Sequence, residues 1–139
     1  MEKDKLIELL NEALQIEYTD VFLYPRQAER IKEKEISEKF ERFGRMELRH
    51  ADTIAIEIQK LGGQPNWDFA PIVLKESMDE ILLDHLERER KAMQFFSKLI
   101  EDLNKEGQDQ LKLILEGIRS EEGSHFGAIN QLIEKRKTR

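Results

Sequence analysis

The chain has 139 residues, a net charge of −6 and no cysteine. That length suits one domain, spanning 1–139, with a sizeable core; the lack of cysteine excludes a disulfide framework, thiolate-bound zinc and iron–sulfur clusters. Charged residues make up 37% of the chain with acids and bases interspersed, so no basic stripe points to nucleic acid; no apolar run approaches a membrane span and no signal peptide is recognisable, so a cytoplasmic protein is expected.

Helical periodicity runs through most of the chain and predicts an all-α protein. The first helix is expected from about Lys3 to Lys32, on the stripe Leu6, Leu10, Ala13, Glu17, Tyr24, Ala28, Ile31. Pro25 removes a backbone donor and crowds the carbonyl of Val21, which predicts a kink. The second helix is expected from about Ile36 to Leu61, with Phe40, Phe43, Glu47, His50, Ile54 and Ile58 on one face. Gly62-Gly63 is a C-cap signal. The segment that follows, with Pro65 and Pro71, is expected to be a loop whose Trp67 and Phe69 cover one end of the molecule. The third helix is expected to start near Ser77, where Ser77 and Glu80 form a capping-box pattern, and to end near Leu103. Its stripe is Met78, Leu82, His85, Glu89, Ala92, Phe96, Leu99, Leu103. Gly107 marks a turn. The fourth helix is expected from about Gln108 to Lys135, on Leu111, Leu115, Ile118, Glu122, His125, Ile129 and Leu132; the basic end, Lys135 to Arg139, suits a helix C-terminus. Short links within each pair and a longer one between them predict two antiparallel helical hairpins joined by a crossover loop, packed as a four-helix bundle.

The pattern Glu-x-x-His occurs twice, at Glu47 and His50 and at Glu122 and His125. Glutamate is abundant here, so the spacing alone says little. The helical face says more: residues three and four apart share a face, and both motifs lie on the apolar stripe. Glu17 and Glu89, each one helix upstream, do so too. A glutamate aimed at a core is costly unless it is paired or metal-bound. Four carboxylates and two imidazoles, spread over four helices, are the ligand set of a dinuclear iron or manganese centre; the alternative is a set of buried salt bridges. Around Glu47 and Glu122 the chain also reads as an internal near-repeat. His85, one turn before Glu89, is expected to pack or support the site rather than bind metal. Asp20, one turn from Glu17, could orient an imidazole or stand as a partly exposed acid.

The run from Leu10 to Glu17 with Tyr24, the run Glu47-Leu48-Arg49-His50-Ala51-Asp52 followed by Leu61 to Asn66, the run Leu86 to Glu89, and Arg119 to His125 resemble the four helices of the ferritin-like superfamily, bacterioferritins and rubrerythrins in particular. The resemblance spans nearly the whole chain. It implies a ferritin-like bundle with two Fe ions per chain, Mn being possible chemically. Glu17 and Glu89 are then terminal ligands, Glu47 and Glu122 bridge, and His50 and His125 bind one metal each. Apart from the resemblance, Tyr24 is expected as a hydrogen-bond partner beside the site, or else as a core tyrosine.

The departures from the family are informative. Bacterioferritins bind haem through a methionine where this chain has Leu48, so no haem is expected; Met46 is adjacent but about 100° around the helix. An extra residue lies between the acidic pair and His125, so Glu121 competes with Glu122 as a ligand. The carboxylate that rubrerythrins carry beyond the third-helix glutamate is Ala92 here, and their rubredoxin cysteines are absent. No fifth helix follows the fourth in the sequence, so a dimer or small homo-oligomer is expected rather than a 24-subunit shell. The functional expectation is an oxidoreductase that oxidises Fe(II) with O2 or reduces hydrogen peroxide. The alternatives are a bacterioferritin-type storage cage and a bundle that uses metal only for stability.

Overall fold

A computed structural model describes residues 1–104 and 107–138 of the chain; Arg139, the last residue of the basic end, lies outside them. The described residues form four α-helices and no strand: α1 (Lys3–Ala28), α2 (Lys34–Lys60), α3 (Met78–Leu103) and α4 (Asp109–Lys137). They divide into two compact units, residues 1–74 with α1 and α2, and residues 75–139 with α3 and α4.

In the first unit α1 and α2 form an antiparallel hairpin. The predicted α1 stripe is buried, with Leu6, Leu10, Ala13 and Tyr24 at most 2% exposed. The helix continues through Pro25 but ends at Ala28, short of the expected Lys32. The reason lies in the hydrogen bonds of its last turn. Ser37 Oγ of α2 donates to the Ala28 carbonyl at 2.8 Å, while the Arg30 and Ile31 amides tighten onto Gln27 and Ala28. The last turn thus tightens to i→i+3 bonds, and the Ala28 carbonyl is shared between the Ile31 amide and Ser37. Ile31 remains buried, so the stripe was informative about burial beyond the point where the helix stops.

A glycine sets how closely the two helices pack, and a glycine pair ends the second. Gly44 of α2 faces α1 where a Cβ would stand 3.0 Å from Pro25 Cδ and 3.3 Å from Tyr24 Cβ. Tyr24 then meets Phe40 and Phe43 edge-on, at 5.3 and 5.6 Å between ring centroids. At the other end α2 closes in a Schellman motif. Gly62 adopts φ +84, its amide bonds Gln59, and the Gly63 amide bonds Ile58, the paired contacts that satisfy terminal carbonyls.

The segment after α2 is held along α1. Asn11 donates to the Gln64 carbonyl at 3.2 Å and accepts from the Asn66 amide at 2.8 Å. Thr19 Oγ1 accepts from the Ala70 amide at 2.9 Å. Trp67 and Phe69 do not cover an end of the molecule. They lie against Tyr18 and Phe22 on the flank of α1, with centroid distances of 4.9 to 6.1 Å. The two amide clamps fix the segment parallel to α1, which carries both rings to that flank.

In the second unit α3 begins with the expected capping box: Ser77 Oγ accepts from the Glu80 amide at 3.1 Å, and the Glu80 carboxylate accepts from the Ser77 amide. Gly107, at φ +71, turns the chain into α4. Arg136 in the last turn of α4 pairs with Asp79 in the first turn of α3 at 2.9 Å, as an antiparallel pair requires.

The close approach at Gly44 and the open space around Gly117, where a Cβ meets nothing within 4 Å, make opposite predictions. Gly117→Ala should stabilise the protein by about 0.5–1 kcal/mol, by lowering the entropy of the unfolded chain. Gly44→Ala should lose that gain and destabilise by about 1 kcal/mol, because the rigid proline ring cannot yield. Denaturant melts of both variants measure the two signs.

Candidate metal centre

Each unit carries a buried triad of two glutamates and one histidine. In the first, α1 supplies Glu17 and α2 supplies Glu47 and His50; one ligand atom from each lies within 4.8 Å of the others. His50 Nδ1 stands 3.0 Å from Glu17 Oε1 and 3.7 Å from Glu47 Oε1. In the second, α3 supplies Glu89, and α4 supplies Glu122 and His125, again with ligand atoms within 4.8 Å. His125 Nδ1 is 3.7 Å from Glu89 Oε1. The four glutamates are fully buried and the histidines nearly so. Helical spacing explains the local construction: in each motif glutamate and histidine are one turn apart on one face of a helix, and the lone glutamate meets them from the neighbouring helix.

The electrostatics of this arrangement are unfavourable for bare carboxylates. Burial, with the Glu122 carboxylate beside it, pushes Glu89 up from the usual carboxylate range to about 8, against a smaller opposing pull from His125. Glu17 Oε2 is buried with no hydrogen-bond partner. Oxygen and imidazole donors without sulfur suit iron or manganese, so the donor set fits a divalent cation that would relieve both strains.

The other sequence candidates fall outside the two triads. Glu122, not Glu121, is the fully buried member of its pair; Glu121 is half-buried. His85 is fully buried on α3, and burial, with Arg88 nearby, pushes its imidazole down to about 3, so it stays neutral. It belongs to neither ligand cluster. Asp20 is buried at 2% exposure rather than partly exposed. Tyr24 is fully buried, seven positions beyond Glu17 on the same stripe. Sequence reasoning missed the buried Gln27 and Thr19. Gln27 continues the spacing from Glu17 through Asp20 and Tyr24, a polar file that the apolar stripe concealed.

An all-α chain with two buried glutamate–histidine triads defines a class, the carboxylate metal-site helical proteins. The family follows from comparison. The model of the ferritin-like domain matches residues 7–138, and the chain belongs to the ferritin-like family. Its structure is similar to the bacterioferritin of Desulfovibrio desulfuricans, described for its diiron site in different catalytic states. The TM-score is 0.92 at 23% identity, covering 98% of this chain and 82% of that one. It is also similar to Rhodobacter capsulatus bacterioferritin, a structure with a metal-free dinuclear site and haem iron. There the TM-score is 0.91 at 25% identity, covering 97% and 87%. The fold is therefore the ferritin-like four-helix bundle. Comparison with curated protein sequences finds no match.

The raised Glu89 sets a pH dependence for the metal-free protein. In the unfolded chain this group titrates near 4.5, in the folded one near 8. The folded state therefore holds a proton that the unfolded state releases, and stability is lost as pH rises from about 4.5 through 8. Glu89→Gln should flatten that slope. Thermal melts of metal-free protein from about pH 5 to about pH 8 are the measurement.

Proposed function

We propose that this chain is a di-iron carboxylate oxidoreductase, oxidising Fe(II) with O2 or reducing hydrogen peroxide. The observation that carries this reading is the pair of buried two-glutamate, one-histidine triads, one per hairpin. In the proposal the hairpins form one domain over residues 1–139, and the triads close on a single dinuclear centre. Glu17 and Glu89 would serve as terminal ligands, Glu47 and Glu122 would be shared between the metals, and His50 and His125 would each bind one. Four carboxylates balance two Fe2+ ions while the imidazoles stay neutral; Mn2+ satisfies the same donors. Bound iron supplies the electrons for reducing O2 or peroxide.

The chain's own residues supply the rest. Glu89 gives up its proton as a cation takes its place, so metal uptake releases protons at neutral pH. His85, neutral one turn before Glu89, and Asp20, buried one turn from Glu17, flank the ligand positions, and Tyr24 is proposed as a hydrogen-bond partner beside the centre. A cytoplasmic setting, where Fe(II) is available, suits this chemistry; no helix among the described residues is long and apolar enough to cross a membrane. Haem is not part of the proposal. Leu48 stands where the haem-binding methionine of the resemblance falls, and Met46 Sδ already accepts from Arg49 at 2.8 Å.

Glu47→Ala and Glu122→Ala should each lose metal while remaining helical, as read by metal analysis and circular dichroism on protein purified without chelator. Full metal content in either variant removes the bridging assignment. Haem added to the protein should produce no Soret band at a fixed haem-to-chain ratio; a saturable band overturns that expectation.

The likeness to two bacterioferritins favours a second reading, iron storage in a cage. We place it second. Exposed apolar side chains occur at Leu48 and Ile56 of α2, at Trp67, Phe69 and Val73 beyond it, at Leu83 of α3 and at Leu113 of α4, and this supports a homodimer or small oligomer. Native mass with iron loading in air separates the readings. A small oligomer that oxidises iron without accumulating it supports the first; a large hollow particle that takes up far more iron than its ligand sites can hold puts storage first.

A further inference from the structure

The flank of the α3–α4 hairpin carries a groove of about 500 Å³, within the usual size of small-molecule sites. Its floor is apolar. Met93 of α3 and Phe126 of α4 line it, and both are half-buried. Beside the thioether α4 carries no side chain: a Cβ at Gly123 would already stand 3.7 Å from Met93 Cε. A phenyl ring and a thioether both make favourable contacts with aromatic rings.

The rim is polar and rich in donors. Arg90, Gln94 and Lys98 recur every four residues along α3, so they share one face, with Ser97 beside Lys98. From α4, Arg119 donates to Ser97 Oγ at 3.3 Å, which brings a further cation to the same place. Arg90 is engaged by Glu87, so the charge of the rim rests on Lys98 and Arg119, set against Glu101. A floor that favours rings, under a donor-rich rim of net positive charge, complements a flat aromatic body with an anionic group of several acceptor oxygens.

We propose that this groove binds a planar aromatic phosphate of the flavin mononucleotide kind, its ring against Met93 and Phe126 and its phosphate toward Ser97, Lys98 and Arg119. The groove lies wholly within the second hairpin and owes nothing to what the triads bind. Lys98 attracts the phosphate and Glu101 repels it, so the two residues act with opposite signs.

The test uses the full metal-free chain with methyl-labelled methionine, flavin mononucleotide as the probe, and riboflavin, which has the same ring and no phosphate, as its control. The chain has four methionines, and Met93→Leu assigns the Met93 methyl signal. That signal should shift saturably with flavin mononucleotide while those of Met46 and Met78 stay in place, and riboflavin should bind severalfold more weakly. Lys98→Glu should weaken the phosphate ligand severalfold. Glu101→Gln should tighten it severalfold and leave riboflavin unchanged. Both positions are exposed, and circular dichroism checks that the variants stay helical. No saturable Met93 shift at millimolar flavin mononucleotide, or equal shifts at all the methionines, overturns the site. Equal affinity for the two ligands, or no effect of Glu101→Gln, overturns recognition of the phosphate.

Discussion

Four fully buried carboxylates are the constraint around which the rest of the molecule is arranged. An apolar interior cannot hold that much negative charge; it must take up protons or cations. Glu89 shows the first solution, keeping its proton to about pH 8 with Glu122 beside it. Two divalent cations are the second, and in the proposed centre they would replace repulsion with coordination. The triads are therefore a source of instability in the metal-free chain, and in the proposed loaded state they would become a source of stability, since binding free energy adds to folding free energy.

The first hairpin shows how the fold holds such a site. Close packing at Gly44 seats Tyr24 among Phe40 and Phe43, and the Schellman turn at Gly62 and Gly63 reverses the chain. Asn11 and Thr19 then fasten the following segment along α1. These contacts fix the rotation of α1, and with it the direction in which Glu17 points. In the second hairpin the capping box at Ser77 fixes the start of α3, and the Arg136–Asp79 pair joins that end to the last turn of α4. The outer faces of the helices carry exposed ion pairs such as Lys5–Glu8 and Lys34–Glu38, each contributing little to stability.

Much of this was legible in the sequence because helical periodicity reports burial directly. Glu17, Glu47, Glu89 and Glu122 stood out as acids on apolar stripes, and each is buried. The capping box and the glycine pair marked ends correctly, since those motifs act through bonds within a few residues. The end of α1 was not legible, because it depends on Ser37, a residue of the next helix, reaching back to Ala28. The placement of Trp67 and Phe69 failed for the same reason: amide contacts to Asn11 and Thr19, distant in sequence, decide it. Glu121 and Glu122 could not be ranked with certainty from spacing, whereas the burial of Glu122 separates them.

The central claim is that the two triads serve one dinuclear centre rather than two separate metals. Isotopically enriched iron, added anaerobically as Fe(II) and then oxidised, can be followed by Mössbauer spectroscopy and paramagnetic resonance on the same samples. A shared carboxylate-bridged centre predicts a spin-coupled ferric pair, silent in perpendicular-mode paramagnetic resonance, with iron filling in a two-to-one ratio to chain. Two independent high-spin ferric signals, or saturation at a single iron, would contradict it.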